Sequence, residues 1–232
     1  MTHPTENTLL NTLPDETKQR LFPQIRLVEL PLGEVIYDAG QNVSMVYFPT
    51  DSIISLLSTM ADGSSAEISV VGNEGLVGIA VFMGGESTPN CAIVQSAGVA
   101  YRLPAAALCS EFNNNQTVRM LLLRYTQALI AQMAQTAVCN RHHSIDQQLC
   151  RWLLLSLDRL STNKLTMTQE LIANMLGVRR EGVTEAAGKL QKLGVITYRR
   201  GHITVTNREK LEALCCECYA VVKSETDRLA AY

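Results

Sequence analysis

Short apolar runs separated by turn residues fill the chain from about residue 24 to residue 104. Gly33, Gly40, Asp62-Gly63, Gly72, Gly75, Gly78, Gly84-Gly85 and Gly98 mark the breaks. Turn signals this frequent between brief Val- and Ile-rich segments predict a β-sandwich or barrel-like roll. Its strands include residues 53–57, 66–71 and 91–94, and Asp62-Gly63 is a hairpin signal. Residues 1–20 are polar and predict a loose lead-in with one short helix.

From Phe112 to Val138 glycine and proline vanish, and the pattern becomes helical. At ~1.5 Å per residue this helix is about 40 Å long. Val118, Leu122, Tyr125, Leu129, Gln132 and Thr136 form one stripe at 3-4 spacing, and Leu123, Ile130, Ala134 and Ala137 mark a second. Two stripes predict one face on the β domain and one on a partner helix, with the Val118–Thr136 stripe assigned to the partner. The alternative is one wide core stripe in a monomer. Residues 139–144 form a hinge, and Ser144 with Gln147 makes a capping box for a short helix ending at Leu157. Ser161-Thr162-Asn163 is a polar break leading into the last domain.

Residues 166–206 carry the sharpest pattern. A first helix follows Thr168, its N-cap, with Thr166 and Gln169 as a rival capping box. Gly177 ends it as a C′ glycine. A second helix starts near Arg180, with Val183, Ala186, Ala187, Leu190 and Leu193 on its buried face. Two helices joined by a tight Gly-containing turn form a helix-turn-helix. Arg179, Arg180, Glu181, Thr184, Glu185, Gly188 and Lys189 point away from the core. Arg suits guanine O6 and N7, and Glu can accept from cytosine N4. Gly182 and Gly188 either admit a close DNA backbone or are simply tolerated. Two short β runs then flank the basic turn Arg199-Arg200-Gly201-His202, a wing able to reach phosphate. Asn207 caps a last helix from Arg208.

Charge sharpens this picture. The 232 residues carry a net charge of −2, yet residues 161–232 hold 11 Lys and Arg against 8 Asp and Glu. A basic block on an acidic body fits a polyanion partner for that module alone. Hydrophobic residues make up 47% and charged residues 18%, which excludes a disordered chain. Seven cysteines without framework spacing fit a reduced compartment better than a disulfide scaffold. No apolar run nears the ~18–20 residues of a membrane helix, and the N-terminus lacks a signal-peptide pattern. A cytoplasmic protein without a membrane partner is expected. No P-loop, nucleophile elbow or zincin motif occurs, so no enzyme is expected.

Residues 166–212 resemble the winged helix of the bacterial cyclic-AMP receptor protein/Fnr family of transcription regulators. Thr168-Gln169-Glu170, the Leu176-Gly177 turn, Arg180-Glu181, Val183 and the Leu193-Gly194-Val195-Ile196 ending carry the match. Pro31-Leu32-Gly33-Glu34 and Asp62-Gly63 resemble the family's β-roll, and the 112–138 helix its dimer helix. The resemblance implies an α+β chain in three parts. Residues 1–111 are a cyclic-nucleotide-binding-like β-roll, 112–139 a dimerisation helix, and 140–232 a hinge helix with a winged helix-turn-helix domain. It implies a homodimer on two-fold symmetric double-stranded DNA, with RNA polymerase as a further partner. Arg179, Arg180, Glu181, Thr184 and Glu185 would read bases, Arg180 and Glu181 reading a G·C pair in each half-site. Thr168, Lys189, Arg199, Arg200 and His202 would meet phosphate. Family members that bind cyclic nucleotides hold the ribose with a Glu and the phosphate with an Arg, and those positions here align with Ile79 and Asn90. No tight cyclic-AMP binding and no cofactor are therefore expected. The alternative is a signalling adaptor whose winged helix binds protein.

The remaining candidate chemistry is weaker. The Fnr branch ligates an iron–sulfur cluster through N-terminal cysteines, and this chain has none before Cys91. Cys215, Cys216 and Cys218 are placed on the last helix, where 215 and 218 share a face; small buried hydrophobes are preferred over ligands. His142-His143 reads as a structural or solvated hinge rather than a metal or haem site, and Cys139 with Cys150 is a candidate thiol switch. No metal site is assigned.

Overall fold

A computed structural model describes residues 3–230. The N-terminal segment is not a loose lead-in. Helices α1 (Thr8–Thr12) and α2 (Asp15–Leu21) bury Leu9, Leu10, Leu13 and Leu21 beneath the β domain. Asn7 is fully buried and donates its amide to Pro49 O at 2.9 Å and Gly75 O at 2.8 Å, while its Oδ1 caps α1. A polar composition concealed this anchor because the segment's few apolar residues all point one way.

The roll comprises seven strands: β1 (Arg26–Leu30), β2 (Val35–Tyr37), β3 (Met45–Pro49), β4 (Ile53–Thr59), β5 (Ser65–Val71), β6 (Cys91–Ser96) and β7 (Gly98–Pro104). They form two antiparallel sheets, ordered β1-β7-β3 and β2-β6-β4-β5. Alternate positions of β4 serve different cores. Ile54 and Leu56 point into the roll, whereas Ile53 and Leu57 point out into the C-terminal domain's core.

Helix α3 (Ala105–Asn114) precedes the long helix α4 (Gln116–His142). The expected single helix from 112 is therefore two: Asn115 leaves the helical region and caps α4 through Thr117 N and Val118 N. Without a glycine or proline at the junction, only the Asn cap signalled the break. Cys139–His142, placed in a hinge by the sequence, complete the last turn of α4.

The stripe expected to meet a partner helix is buried on the chain's own domain. Val118 and Leu122 enter the core beneath α1 and α2, and Leu129 enters the core of the roll. Tyr125 lies over Gly75, where a Cβ would sit 2.2 Å from its ring, and donates its hydroxyl to Leu76 O at 2.8 Å. Gln132 Oε1 accepts from Val70 N at 2.6 Å and Ser69 Oγ at 2.8 Å. Thr136 Oγ1 accepts from the buried Arg151 at 3.1 Å. The polar members of this stripe are satisfied by strand β5 and by Arg151, which a helical wheel cannot show. The opposite seam is open: Gln116, Met120, Leu123, Gln127, Ile130, Ala134, Ala137 and Arg141 are exposed at regular 4-3 spacing.

Helix α5 (Ile145–Leu157) starts at the Ser144/Gln147 capping box, and every residue from Gln148 to Leu157 is buried. It carries the C-terminal domain: strand β8 (Lys164–Thr166), α6 (Gln169–Leu176), α7 (Arg180–Lys192), β9 (Ile196–Arg199), β10 (His202–Val205), α8 (Arg208–Leu214) and α9 (Cys218–Ala230). The wing sheet is ordered β8-β10-β9. Leu193, expected in the buried ladder of α7, is 45% exposed because the helix ends before it. Cys215 and Cys216 fall in a break between α8 and α9 rather than on one helix.

A polar chain crosses the seam between the roll and α5. Ser55 Oγ lies 2.5 Å from Glu67 Oε2 and 2.7 Å from Gln95 Oε1, and Gln95 Nε2 donates to Ser156 Oγ at 3.0 Å. One hydroxyl proton cannot serve two acceptors, and a protonated Glu67 supplies the second. Burial pushes the Glu67 carboxyl up to about 7 from 4.5, against the opposing pull of Ser55, Arg151 and Arg159. The folded state therefore holds this proton more tightly than the unfolded chain, and stability falls as pH rises from about 4.5 to about 7. Glu67→Gln removes that loss. In urea titrations its advantage over the parent should be about 2–3 kcal/mol larger at pH 8 than at pH 5. An equal difference at both pH values would show that Glu67 is already ionised.

Candidate nucleic-acid interface

Local capping sets the two helices of the motif. Thr168 Oγ1 accepts from Leu171 N at 3.2 Å and starts α6, while Thr166, the rival cap, lies in β8. Gly177 closes α6 at φ +65°, and a Cβ there would also come within 3.1 Å of Ala66 on the roll. Val183, Ala186, Ala187 and Leu190 bury one face of α7 against α5 and α6. Arg179, at the N-cap of α7, provides no side-chain cap. Gly182 N donates to Arg179 O at 3.0 Å, and the N–H groups of Arg180 and Glu181 are left open to an anion.

The exposed face matches the sequence expectation in position, and its side chains are in different states. Arg179, Arg180, Glu181, Thr184, Glu185 and Lys189 are all exposed. Among the described residues, the side chains of Arg179, Arg180, Arg199 and Arg200 make no ion pair or hydrogen bond. Lys189 is instead engaged, with Nζ 3.1 Å from Asp146 Oδ2 and 3.1 Å from Glu185 Oε1. Those contacts, led by Asp146, raise its pKa. Thr184 Oγ1 lies 2.8 Å from Gln169 Oε1 and 3.0 Å from Arg180 O.

The wing is fixed beside the start of α6. Arg200 and Gly201 both adopt positive φ, 51° and 80°, as a tight two-residue hairpin turn requires. Tyr198 donates its hydroxyl to Met167 O at 2.7 Å, and Met167 N donates to Gly201 O at 2.7 Å. His202 Nδ1 faces Thr166 Oγ1 at 3.3 Å, so this expected phosphate contact also braces the wing. The result is an open groove of about 550 Å3 lined by Thr168, Gln169, Glu170, Arg180, Tyr198 and Arg200. Gln169, Glu170 and Tyr198 were not singled out as site residues. Gln169 and Glu170 follow the N-cap directly, a positional clue, whereas Tyr198 enters only because the wing folds back.

Residues 27–115 match the cyclic nucleotide-binding domain family, and residues 147–214 match the Crp-like helix-turn-helix domain family. The chain belongs to the Crp/Fnr family. A Crp/Fnr-family protein from Eubacterium rectale shares the fold at TM-score 0.71 and 17% identity, over 90% of this chain and 98% of that one. FixK2 from Bradyrhizobium japonicum follows at TM-score 0.69 and 17% identity, over 83% and 98%. The c-di-GMP-responsive global regulator CLP of Xanthomonas campestris gives TM-score 0.64 at 13% identity, over 83% and 99%. No curated protein sequence matches the chain significantly. No helix among the described residues is long and apolar enough to cross a membrane.

In this family member, Ile79 and Asn90 do line one cavity, of about 240 Å3, together with Tyr37, Leu56, Met83, Thr88 and Met133. No lining residue is charged. Asn90 Nδ2 lies 3.4 Å from Thr88 Oγ1. Cys139, a candidate thiol-switch residue with Cys150, places its Sγ 3.7 Å from Cys216 Sγ. Burial pushes both Cys139 and Cys150 up to about 12, which suppresses the reactive thiolate.

The two glycines of α7 separate cleanly. A Cβ on Gly182 would meet Ile145 Cδ1 at 2.6 Å, so Gly182 serves the α5 contact rather than DNA; Gly188 has nothing within 4 Å. Gly188→Ala should raise stability by up to about 1 kcal/mol from helix propensity. Gly182→Ala should gain less or lose, because the δ-methyl of Ile145 must move. Chemical denaturation of the two variants checks the order, and equal gains would contradict the packing.

Proposed function

We propose that this protein is a homodimeric, sequence-specific DNA-binding transcription regulator, and not an enzyme. The observation that carries this reading is the exposed N-terminal turn of α7, with Arg179 and Arg180 unpaired, next to a wing that presents Arg199 and Arg200 equally unpaired. Unneutralised guanidinium groups on one surface attract phosphate, and those at the helix start can reach base edges. Arg180 and Glu181 read a G·C pair in each half-site. Thr168, Arg199 and Arg200 hold the backbone. Lys189, tied to Asp146 and Glu185, contributes to phosphate binding only by exchanging partners.

The seam Met120–Leu123–Ile130–Ala134–Ala137 supports a parallel α4–α4 pairing, since it keeps coiled-coil spacing and none of the described residues covers it. The uncharged cavity around Ile79 and Asn90 supports a sensor domain that does not hold cyclic AMP. It offers no fork for a phosphate.

Selection from random duplex DNA without added ligand tests the reading. A two-fold symmetric site with G·C in each half is expected, and no enrichment at modest salt would count against a free-standing DNA binder. Arg180→Ala should cost roughly 1–3 kcal/mol and relax one base position. Arg199→Ala or Arg200→Ala should weaken binding without altering sequence preference. Ile130→Glu should convert the dimer to monomer in sedimentation. A dimer that persists would place the interface elsewhere.

A further inference from the structure

Four ligand-type side chains converge where α4 ends. Cys139 Sγ, His143, Cys216 Sγ and Cys218 Sγ place their donor atoms within 4.8 Å of one another, with the three cysteines buried. Their sources are far apart in sequence. Cys139 and His143 are one helical turn apart at the C-terminus of α4, Cys216 lies in the break between α8 and α9, and Cys218 opens α9. Cys215, placed on one helix face with Cys218 by the sequence, is not part of the set.

We propose that these residues form a tetrahedral Cys3His site for one Zn2+ ion, which clasps the C-terminal helix to the end of α4. The distances fit the size of such a site. With Zn–S near 2.3 Å and Zn–N near 2.0 Å, the edges of a tetrahedron are about 3.8 Å between sulfurs and about 3.5 Å between sulfur and nitrogen. Cys139 Sγ lies 3.7 Å from Cys216 Sγ, and Cys218 Sγ lies 3.4 Å from His143 Nδ1. The longest separation, 4.8 Å, closes by about 1 Å on binding. A [4Fe–4S] cluster gives each cysteine a different iron and so holds the sulfurs further apart. A Cys139–Cys216 disulfide would leave His143 and Cys218 without a role.

The surroundings also suit a metal. His143 Nδ1 faces the sulfurs while its Nε2 lies 3.4 Å from Glu217 Oε2, the carboxylate–histidine arrangement that orients a metal-bound imidazole. Gln135 donates an amide hydrogen to Cys218 Sγ at 3.1 Å. Binding releases three thiol protons and leaves the site with one net negative charge. Arg151 supplies the opposite charge nearby: it is 4% exposed and its Nε has no hydrogen-bond partner. All four ligands lie outside the two segments that match the family, 27–115 and 147–214.

The test is the metal content of the full-length chain purified under reducing conditions with zinc present. One zinc per chain is expected to survive gel filtration. Cobalt should replace it with the intense visible bands of a tetrahedral thiolate site. Cys216→Ser and His143→Ala should lose most of the metal, whereas Cys91→Ser with Cys109→Ser should retain it. Because ligand removal can unfold the domain, His143→Cys is the decisive variant: it should keep one metal ion and shift the cobalt bands to longer wavelength. A folded parent that takes up neither zinc nor cobalt overturns the proposal. So does iron with acid-labile sulfide, a Cys139–Cys216 disulfide in peptide mapping, or zinc retained undiminished in folded Cys216→Ser.

Discussion

Helix α5 imposes the central constraint on this molecule. Ten consecutive residues, Gln148 to Leu157, are buried, so the helix has no solvent face through most of its length. A helix of that kind is stable only if neighbours cover it on every side. The roll supplies Ile53, Leu57 and Val70, and the winged helix supplies Ile172, Val183, Ala186, Ala187 and Leu190. One apolar core therefore belongs to both domains, and the helix-turn-helix is held against the roll rather than tethered to it.

That shared core explains otherwise odd features of the strands. Strand β4 is apolar on both faces because each face meets a different core. Its one polar interior residue, Ser55, sits in the chain from Glu67 to Ser156, where every member has a partner. A buried carboxyl tolerated there keeps its proton to near neutrality because desolvation outweighs the arginines nearby. Gly177 shows the same coupling from the other side. Its left-handed conformation ends α6, and its missing Cβ lets that turn approach Ala66 on the β5 edge of the roll.

Helix α4 divides its surface between two demands. Its inward stripe is half polar, with Gln132 bonded to the backbone of β5 and Thr136 bonded to Arg151 from α5. Its outward seam is exposed. The last turn then turns to α9, where Gln135, Cys139 and His143 meet Cys216, Glu217 and Cys218. One helix thus packs on the roll and on the C-terminal segment and leaves a third face exposed.

Local chemistry was legible in the sequence wherever a short stretch decides the outcome. The Ser144/Gln147 capping box, the Thr168 cap, the Gly177 stop, the wing turn at Arg200-Gly201 and the Asn207 cap depend on residues within a few positions of one another. The order of modules and the exposed face of α7 followed from the same local periodicity. Which of two helical stripes faces inward did not follow, because Gln132 finds its partner on β5, 62 residues away, and Thr136 finds its partner on α5, 15 residues away. Nor did the burial of Asn7, the engagement of Lys189 by Asp146, or the meeting of Cys139 and His143 with Cys216 and Cys218. Those pairings are made by chain closure, and no spacing along the sequence encodes a distance that only the folded core creates.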